Sequence, residues 1–276
     1  MSTYKASEPA NGPVKRLRRL VSLTLKLTQR EVAGRYKSSF LGVGWSLLTP
    51  LLMLSVYTFV FGAVFKGRWA ETVQTGSMIE FAIILFGGLI VFQMFSEAVI
   101  QSTGVIVANS GFVKKVVFPV QVLPVVTVLT ALFHASVAML VLFGFMLFEF
   151  KGIPTTAVYL PVVLLPLLMM VLGMAWLFSA LGVFFRDIGQ ILGPIVTACL
   201  FLAPIFFPAE ALPEWVRPLV VLNPITVPVE QFRRVVILGH GPDWVQLYTY
   251  GGIAFLIMCF GFLFFQSVRK GFADVL

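Results

Sequence analysis

Residues 157–184 read AVYLPVVLLPLLMMVLGMAWLFSALGVF, a run without a single charged side chain. Wound as an α-helix at 1.5 Å per residue, it is about 42 Å long, more than the roughly 30 Å of hydrocarbon in a bilayer. A soluble amphipathic helix of this length would carry a polar stripe; this one does not. Working outward, five more apolar segments lie at 44–65, 79–100, 120–148, 190–207 and 246–266. Spanning takes about 20 residues, which most of these supply. The segment at 190–207 has the least distinct boundary, because Pro194, Pro204 and then Pro208 interrupt it. Backbone groups in lipid must be paired within the segment, and no ten-residue alternating pattern points to a barrel. The expectation is an all-α integral membrane protein with six transmembrane helices.

Composition agrees. The 276 residues are 59% hydrophobic and 12% charged, with a mean hydropathy of +0.96, whereas soluble domains carry about a quarter charged residues. The formal net charge of +8 in a soluble protein would suggest nucleic acid. Here the basic residues cluster outside the apolar runs, so the charge reads as topology and no nucleic-acid partner is expected. With the N-terminus inside, fourteen of the 20 Lys and Arg fall on cytoplasmic pieces. Both termini are therefore expected in the cytoplasm, as six crossings require. No signal peptide is expected, since the first long apolar run begins after residue 43.

Three regions lie outside the spans. Residues 1–13 read as a disordered tail and 14–40 as an amphipathic interface helix, its pattern running from Val14 to Tyr36. Val14, Leu17, Leu20, Val21, Leu25, Leu27 and Val32 share one half of the helical wheel, while Lys15, Arg16, Arg19, Lys26, Arg30 and Lys37 fall on the other. A basic amphipathic helix suits an anionic membrane surface. Residues 41–276 form the transmembrane domain. Within it, the proline-rich stretch 208–245 keeps apolar runs at Trp215–Leu222 and Val235–Leu238. A solvated loop would be more polar, so part of this stretch is expected to fold back into the membrane as re-entrant helices.

Catalytic chemistry is not legible. No GxxxxGK[ST] phosphate loop occurs, nor HExxH or GxSxG, so the chain is not expected to hydrolyse nucleotide or to act as an enzyme. Cys199 and Cys259 lie far apart inside apolar segments, which argues against a disulfide or a metal site. Glu97 near the inner end of the second span is a lone carboxylate, too little for a proton relay and better read as a structural or interface group. His134 is expected to make an interhelical hydrogen bond. Glu230, Arg233 and Arg234 have i+3 and i+4 spacing, the mark of a self-neutralised helix, with substrate contact by the arginines as the sharper alternative. Tyr57, Phe59, Phe61 and Phe65 follow the outer half of the first span. They face lipid and neighbouring helices, or line a path on which sugar rings slide.

The stretch from Thr28 to Pro50, TQREVAGRYKSSFLGVGWSLLTP, resembles the start of polysaccharide-export ABC permeases. In that family a surface helix with an R-x-R-Y type ending runs into L-G-x-x-W-x-x-x-x-P, present here as Arg35-Tyr36, Leu41-Gly42, Trp45 and Pro50. Phe185-Arg186-Asp187-Ile188, Pro204-Ile205-Phe206-Phe207 and Leu222-Asn223-Pro224-Ile225-Thr226 are similar to family positions too. The resemblance implies the membrane subunit of a type-2 ABC exporter in a bacterial inner membrane, a homodimer paired with two ATPase subunits that bind ATP and Mg. It implies a coupling helix near 106–118, with Phe112, Lys114 and Lys115 meeting the ATPase, and a periplasmic gate region at 208–245 holding Glu230, Arg233 and Arg234. Arg30, Arg35, Tyr36 and Lys37 are expected to receive the head group of a lipid-linked glycan, with Tyr57, Phe59 and Phe61 lining the channel. O-antigen on undecaprenyl diphosphate is the leading substrate, capsule or teichoic acid the alternative. A drug or lipid exporter, an ion-coupled transporter and a membrane-embedded transferase are the more distant rivals.

Overall fold

In a computed structural model, the structure describes residues 13–37, 39–60, 78–113, 118–150, 152–206, 214 and 217–276. Phe61, Phe65, Lys114, Lys115, residues 1–12 of the expected tail and much of 207–216 lie outside the described residues.

The chain begins with α1 (Pro13–Tyr36), one residue earlier than the apolar pattern suggested, because proline fits the first turn of a helix, where no N–H is needed. Val14, Leu17, Val21 and Leu25 stand exposed along it. After Tyr36 the backbone turns through Ser39 N–H to the Tyr36 carbonyl and reaches Gly42 at φ 52°. That left-handed conformation favours glycine, which gives Leu41-Gly42 a physical role: it redirects the chain from α1 into α2 (Trp45–Phe59).

Then follow α3 (Met78–Ala108), α4 (Ser110–Val113), α5 (Val122–Glu149), α6 (Leu160–Phe184) and α7 (Ile188–Leu202). The last four helices are α8 (Arg217–Leu222), α9 (Thr226–Val236), α10 (Trp244–Val268) and α11 (Phe272–Val275). Among the described residues there are no strands. Among the described residues, five segments are long and apolar enough to cross a bilayer: Gly42–Phe59, Ile79–Ala108, Val122–Glu149, Thr155–Phe184 and Trp244–Val275. The fifth of the six expected crossings is instead the shorter apolar helix α7. Its 15 residues rise about 22 Å, short of the hydrocarbon thickness. Its end has a local cause. Ala203 precedes Pro204, and a residue before proline is pushed out of helical backbone; Ala203 has φ −79° and ψ 148°.

The core is made where helices approach without side chains between them. A Cβ on Gly173 of α6 would lie 2.6 Å from the Ile257 carbonyl oxygen of α10, and one on Gly261 of α10 would lie 2.1 Å from the Gly173 oxygen. Gly182 of α6 meets α3 as closely, 1.9 Å from the Thr103 oxygen. Small residues permit such contact in membrane bundles, where dispersion between backbones replaces the hydrophobic effect. At one end of the bundle Ile106, Val120, Leu123, Ala180, Val183, Phe265 and Phe272 form a single cluster, and Arg269 donates to Gln121 Oε1 at 3.0 Å. This end gathers the close of α3, the start of α5, the close of α6 and the C-terminal helix.

The opposite end holds the fold-back. Thr156 donates to the Val235 carbonyl at 2.7 Å, and Tyr159 meets Trp244 edge to face. Helix α9 buries Val229, Phe232, Val235 and Val236 completely, seated on Gly87 and Gly88 of α3, where a Cβ would strike Phe232, Ile237 or Arg233. It ends at Val236, the chain turns at Gly239, φ 69°, and α10 is preceded by Asp243, whose carboxylate accepts from the N–H groups of Val245 and Gln246 as an N-cap.

Candidate functional site beneath the amphipathic helix

Charges are few in this bundle, and three of the groups that carry or exchange one meet at a single place. Glu97 sits on α3 with its side chain only 9% exposed. A buried carboxylate needs an opposite charge and hydrogen-bond donors, and both are present. Arg35 Nη1, from the last turn of α1, lies 2.5 Å from Glu97 Oε1. His134 of α5 brings Nδ1 to 2.9 Å from Oε1 and 3.1 Å from Oε2. Its Nε2 stands 3.2 Å from the Tyr36 hydroxyl.

Chemistry assigns the tautomer. A carboxylate only accepts, so Nδ1 carries the proton and donates to Glu97, leaving Nε2 to accept from the Tyr36 O–H. Arg35 also passes 3.3 Å from Nδ1, but two donors cannot bond each other, so that approach is a contact only. Burial holds the Tyr36 phenol above its usual pKa; Arg35 pulls it down and Glu97 pushes it up, for a net rise. The hydroxyl therefore keeps its proton at neutral pH and can donate it to His134.

The junction opens into a cavity of about 390 Å³, shared by α2, α3 and α5, with Thr49, Tyr57, Gln93, Glu97, His134 and Arg35 among its lining. That is the size of a small-molecule site, roughly 300–1,000 Å³. Apart from Tyr36 and Ser46 its remaining walls are apolar, among them Pro50, Met53, Phe86, Leu89 and Ala138. The arrangement can hold an anion at its mouth and an apolar or sugar-like body beyond it. Among the described residues no three His, Cys, Asp or Glu gather as they would to hold a metal.

The other sequence-derived positions are scattered. Arg30 lies over the Phe112 ring, 5.6 Å from its centroid, and Phe112 stacks on Phe118 at 4.6 Å, so α1 touches α4. Arg30 thus faces an aromatic ring, whereas the sequence grouped it with Arg35. Lys37 is exposed in the turn after α1. Tyr57 lines the cavity, but Phe59 projects outward, 67% exposed.

The two arginines near the fold-back differ: Arg233 is taken up by backbone carbonyls, while Arg234 stays exposed. Arg233 donates Nε to the Ile84 carbonyl at 3.0 Å, Nη2 to that of Ile205 at 2.8 Å and Nη1 to that of Pro204. It ties α9 to α3 and to the chain just beyond α7. Arg234 donates Nε to the Gly241 carbonyl, and Glu230 is half-buried one turn earlier.

Sequence reasoning singled out Arg35, Tyr36, Glu97 and His134 but did not join them. The one available signal was that an unmatched carboxylate in a span requires a cation, and α1 ends in one. The same reasoning named Asn223 within 222–226 without a role; the side chain donates to the Cys199 carbonyl at 2.8 Å and accepts from Ile225 N–H at 3.1 Å, fixing the α8–α9 turn on α7.

Comparison with known proteins now decides the family. The family model described as ABC-2 type transporter matches residues 22–237, from within α1 to the end of α9. The chain belongs to the ABC-2 type transporter family. Relatives of this transporter subunit include proteins named O-antigen export system permease protein RfbA. One from Myxococcus xanthus is 29% identical over 95% of this chain and 98% of its own length. One from Klebsiella pneumoniae is 26% identical over 93% and 96%. Polysialic acid transport protein KpsM of Escherichia coli is 28% identical over 79% of this chain and 82% of its own. As an ABC-2 family member, the chain is the membrane-spanning part of a transporter rather than an enzyme on its own.

Proposed function

We propose that this chain carries a lipid-linked polysaccharide, of the O-antigen type on undecaprenyl diphosphate, outward across the cytoplasmic membrane of a bacterium. The observation that carries this reading is the end-to-end match to O-antigen export permeases, over 93% and 95% of the chain, against 79% for the polysialic acid transport protein. Capsular glycan is therefore the second reading.

Two copies and two ATP-binding subunits make the working transporter. The apolar faces left exposed on α2, such as Leu47, Leu52 and Val56, and on α7, such as Ile191 and Ile195, support a paired arrangement with these helices around the path. ATP and Mg bind to the partner subunits. The strokes reach this chain through the loop that begins with α4, where Phe112 and the neighbouring Lys114 and Lys115 meet the ATPase. Arg35, Tyr36 and Lys37 receive the diphosphate head group, with Tyr57 on the path beyond.

Conditional deletion tests the whole reading. Surface glycan is expected to disappear while undecaprenyl-linked glycan accumulates inside the cell, and the composition of that glycan separates O-antigen from capsule. Normal surface glycan, with no intracellular accumulation and no redundant exporter, would overturn it in favour of a drug or lipid exporter.

A further inference from the structure

The ion pair under α1 is built unevenly. Glu97 is 9% exposed while Arg35 is 37% exposed, so one partner is held inside and the other is partly open to solvent. Arg35 reaches the carboxylate through Nη1 alone, without the two-pronged geometry that gives guanidinium pairs their strength. Should Arg35 leave, Glu97 is not orphaned, because the Nδ1–H of His134 already spans both of its oxygens. With Arg35 gone, the neutral Tyr36–His134 hydrogen bond is the polar tie left between the end of α1 and α5, weaker than the charge-assisted bond it outlasts. A diphosphate, by contrast, offers several oxygens and more than one charge, the ligand for which arginine is best suited.

We propose that Arg35–Glu97 is a latch opened by an anionic diphosphate head group, which takes Arg35 from Glu97, frees the end of α1 from α3 and loosens its remaining hold on α5. This rests on the exporter reading and adds a regulatory role to Glu97 and His134: they hold α1 closed when no lipid is present. Because Arg30 of the same helix lies on Phe112 of α4, release of α1 carries the occupied state toward the ATPase loop.

The test uses the complete transporter with its ATPase subunits in lipid nanodiscs, Cys199 and Cys259 replaced by serine. Spin labels at Ala33→Cys on α1 and Ser136→Cys on α5, both exposed positions, report the distance between the helices. Farnesyl diphosphate is expected to lengthen it, and farnesol to leave it unchanged. If inorganic pyrophosphate alone lengthens it, the latch reads the free anion; if only farnesyl diphosphate does, it reads an anchored head group. Glu97→Gln is expected to show the long distance without ligand and to bind farnesyl diphosphate on the order of tenfold tighter, since a charge-assisted competitor is gone. Arg35→Gln is expected to bind it about tenfold more weakly, with Arg35→Lys restoring part of the loss. An unchanged wild-type distance, in a preparation whose ATPase is stimulated by farnesyl diphosphate, overturns the latch and leaves the exporter standing. Weaker binding by Glu97→Gln than by wild type overturns it as well. No stimulation, together with normal surface glycan after deletion, removes the exporter reading and the latch with it.

Discussion

At the scale of single residues, Gly182 and Gly104 make a matched pair. A Cβ on Gly182 would sit 1.9 Å from the Thr103 oxygen, an overlap that only separation of α3 and α6 can relieve, whereas one on Gly104 would meet nothing within 4 Å. Overpacking of this kind costs about 1–3 kcal/mol and sometimes more. Gly182→Ala is therefore expected to lower the unfolding temperature in detergent by several degrees or to prevent folding. Gly104→Ala, gaining up to about 1 kcal/mol of helix propensity, is expected to match or exceed wild type. Equal behaviour of the two variants would mean that α3 and α6 do not cross at Gly182.

Among elements, α9 is the one whose place depends most on a single side chain. Its apolar face fills the seat on Gly87 and Gly88, but the link to the chain after α7 runs through Arg233 and the carbonyls of Pro204 and Ile205. Hydrogen bonds from a charged donor contribute roughly 1.5–3 kcal/mol each. Arg233→Met fills much of the same space without donors. It is expected to destabilise the protein by at least about 3 kcal/mol and to make the α8–α9 segment a site of early proteolysis. Arg233→Lys, a point charge with one stem, should fall between. Proteolysis of Arg233→Met at the wild-type rate would show that apolar packing alone holds α9.

For the whole molecule, direction is the testable property. The cluster of Ile106, Val120, Val183 and Phe272 groups the C-terminus with the loop around α4, and Arg30 on Phe112 brings α1 to that end too. With the charge bias, this end is expected in the cytoplasm. In a background lacking Cys199 and Cys259, a thiol at Asp274→Cys is expected to be labelled only after the inner membrane is opened. One at His240→Cys, exposed beyond α9, is expected to react with an impermeant reagent from the periplasmic side. The reverse pattern would invert the proposed topology.

Much of this architecture was written in the order of residues. The uncharged runs dictate membrane helices because lipid offers no partner to a free backbone group, and the Pro-interrupted segment at 190–207 was already the doubtful span that became α7. The wheel pattern of α1 and the fold-back before α10 were legible for the same reason: apolar surface must be covered, and its periodicity says which side. What the chain alone did not determine was pairing. Arg35 and Glu97 are 62 positions apart and Glu97 and His134 37, and nothing local says which cation answers a lone carboxylate. The spacing of Glu230 and Arg233 showed one neighbour of that cation, but not that its donors reach carbonyls of α3 and of the turn after α7. Periodicity records the solvent around each helix, so one sequence suffices to read it. A charge inside the bundle is satisfied by whatever the crossing of helices brings within about 3 Å, and that crossing is set by the glycines at which backbones touch, a property of the tertiary structure alone.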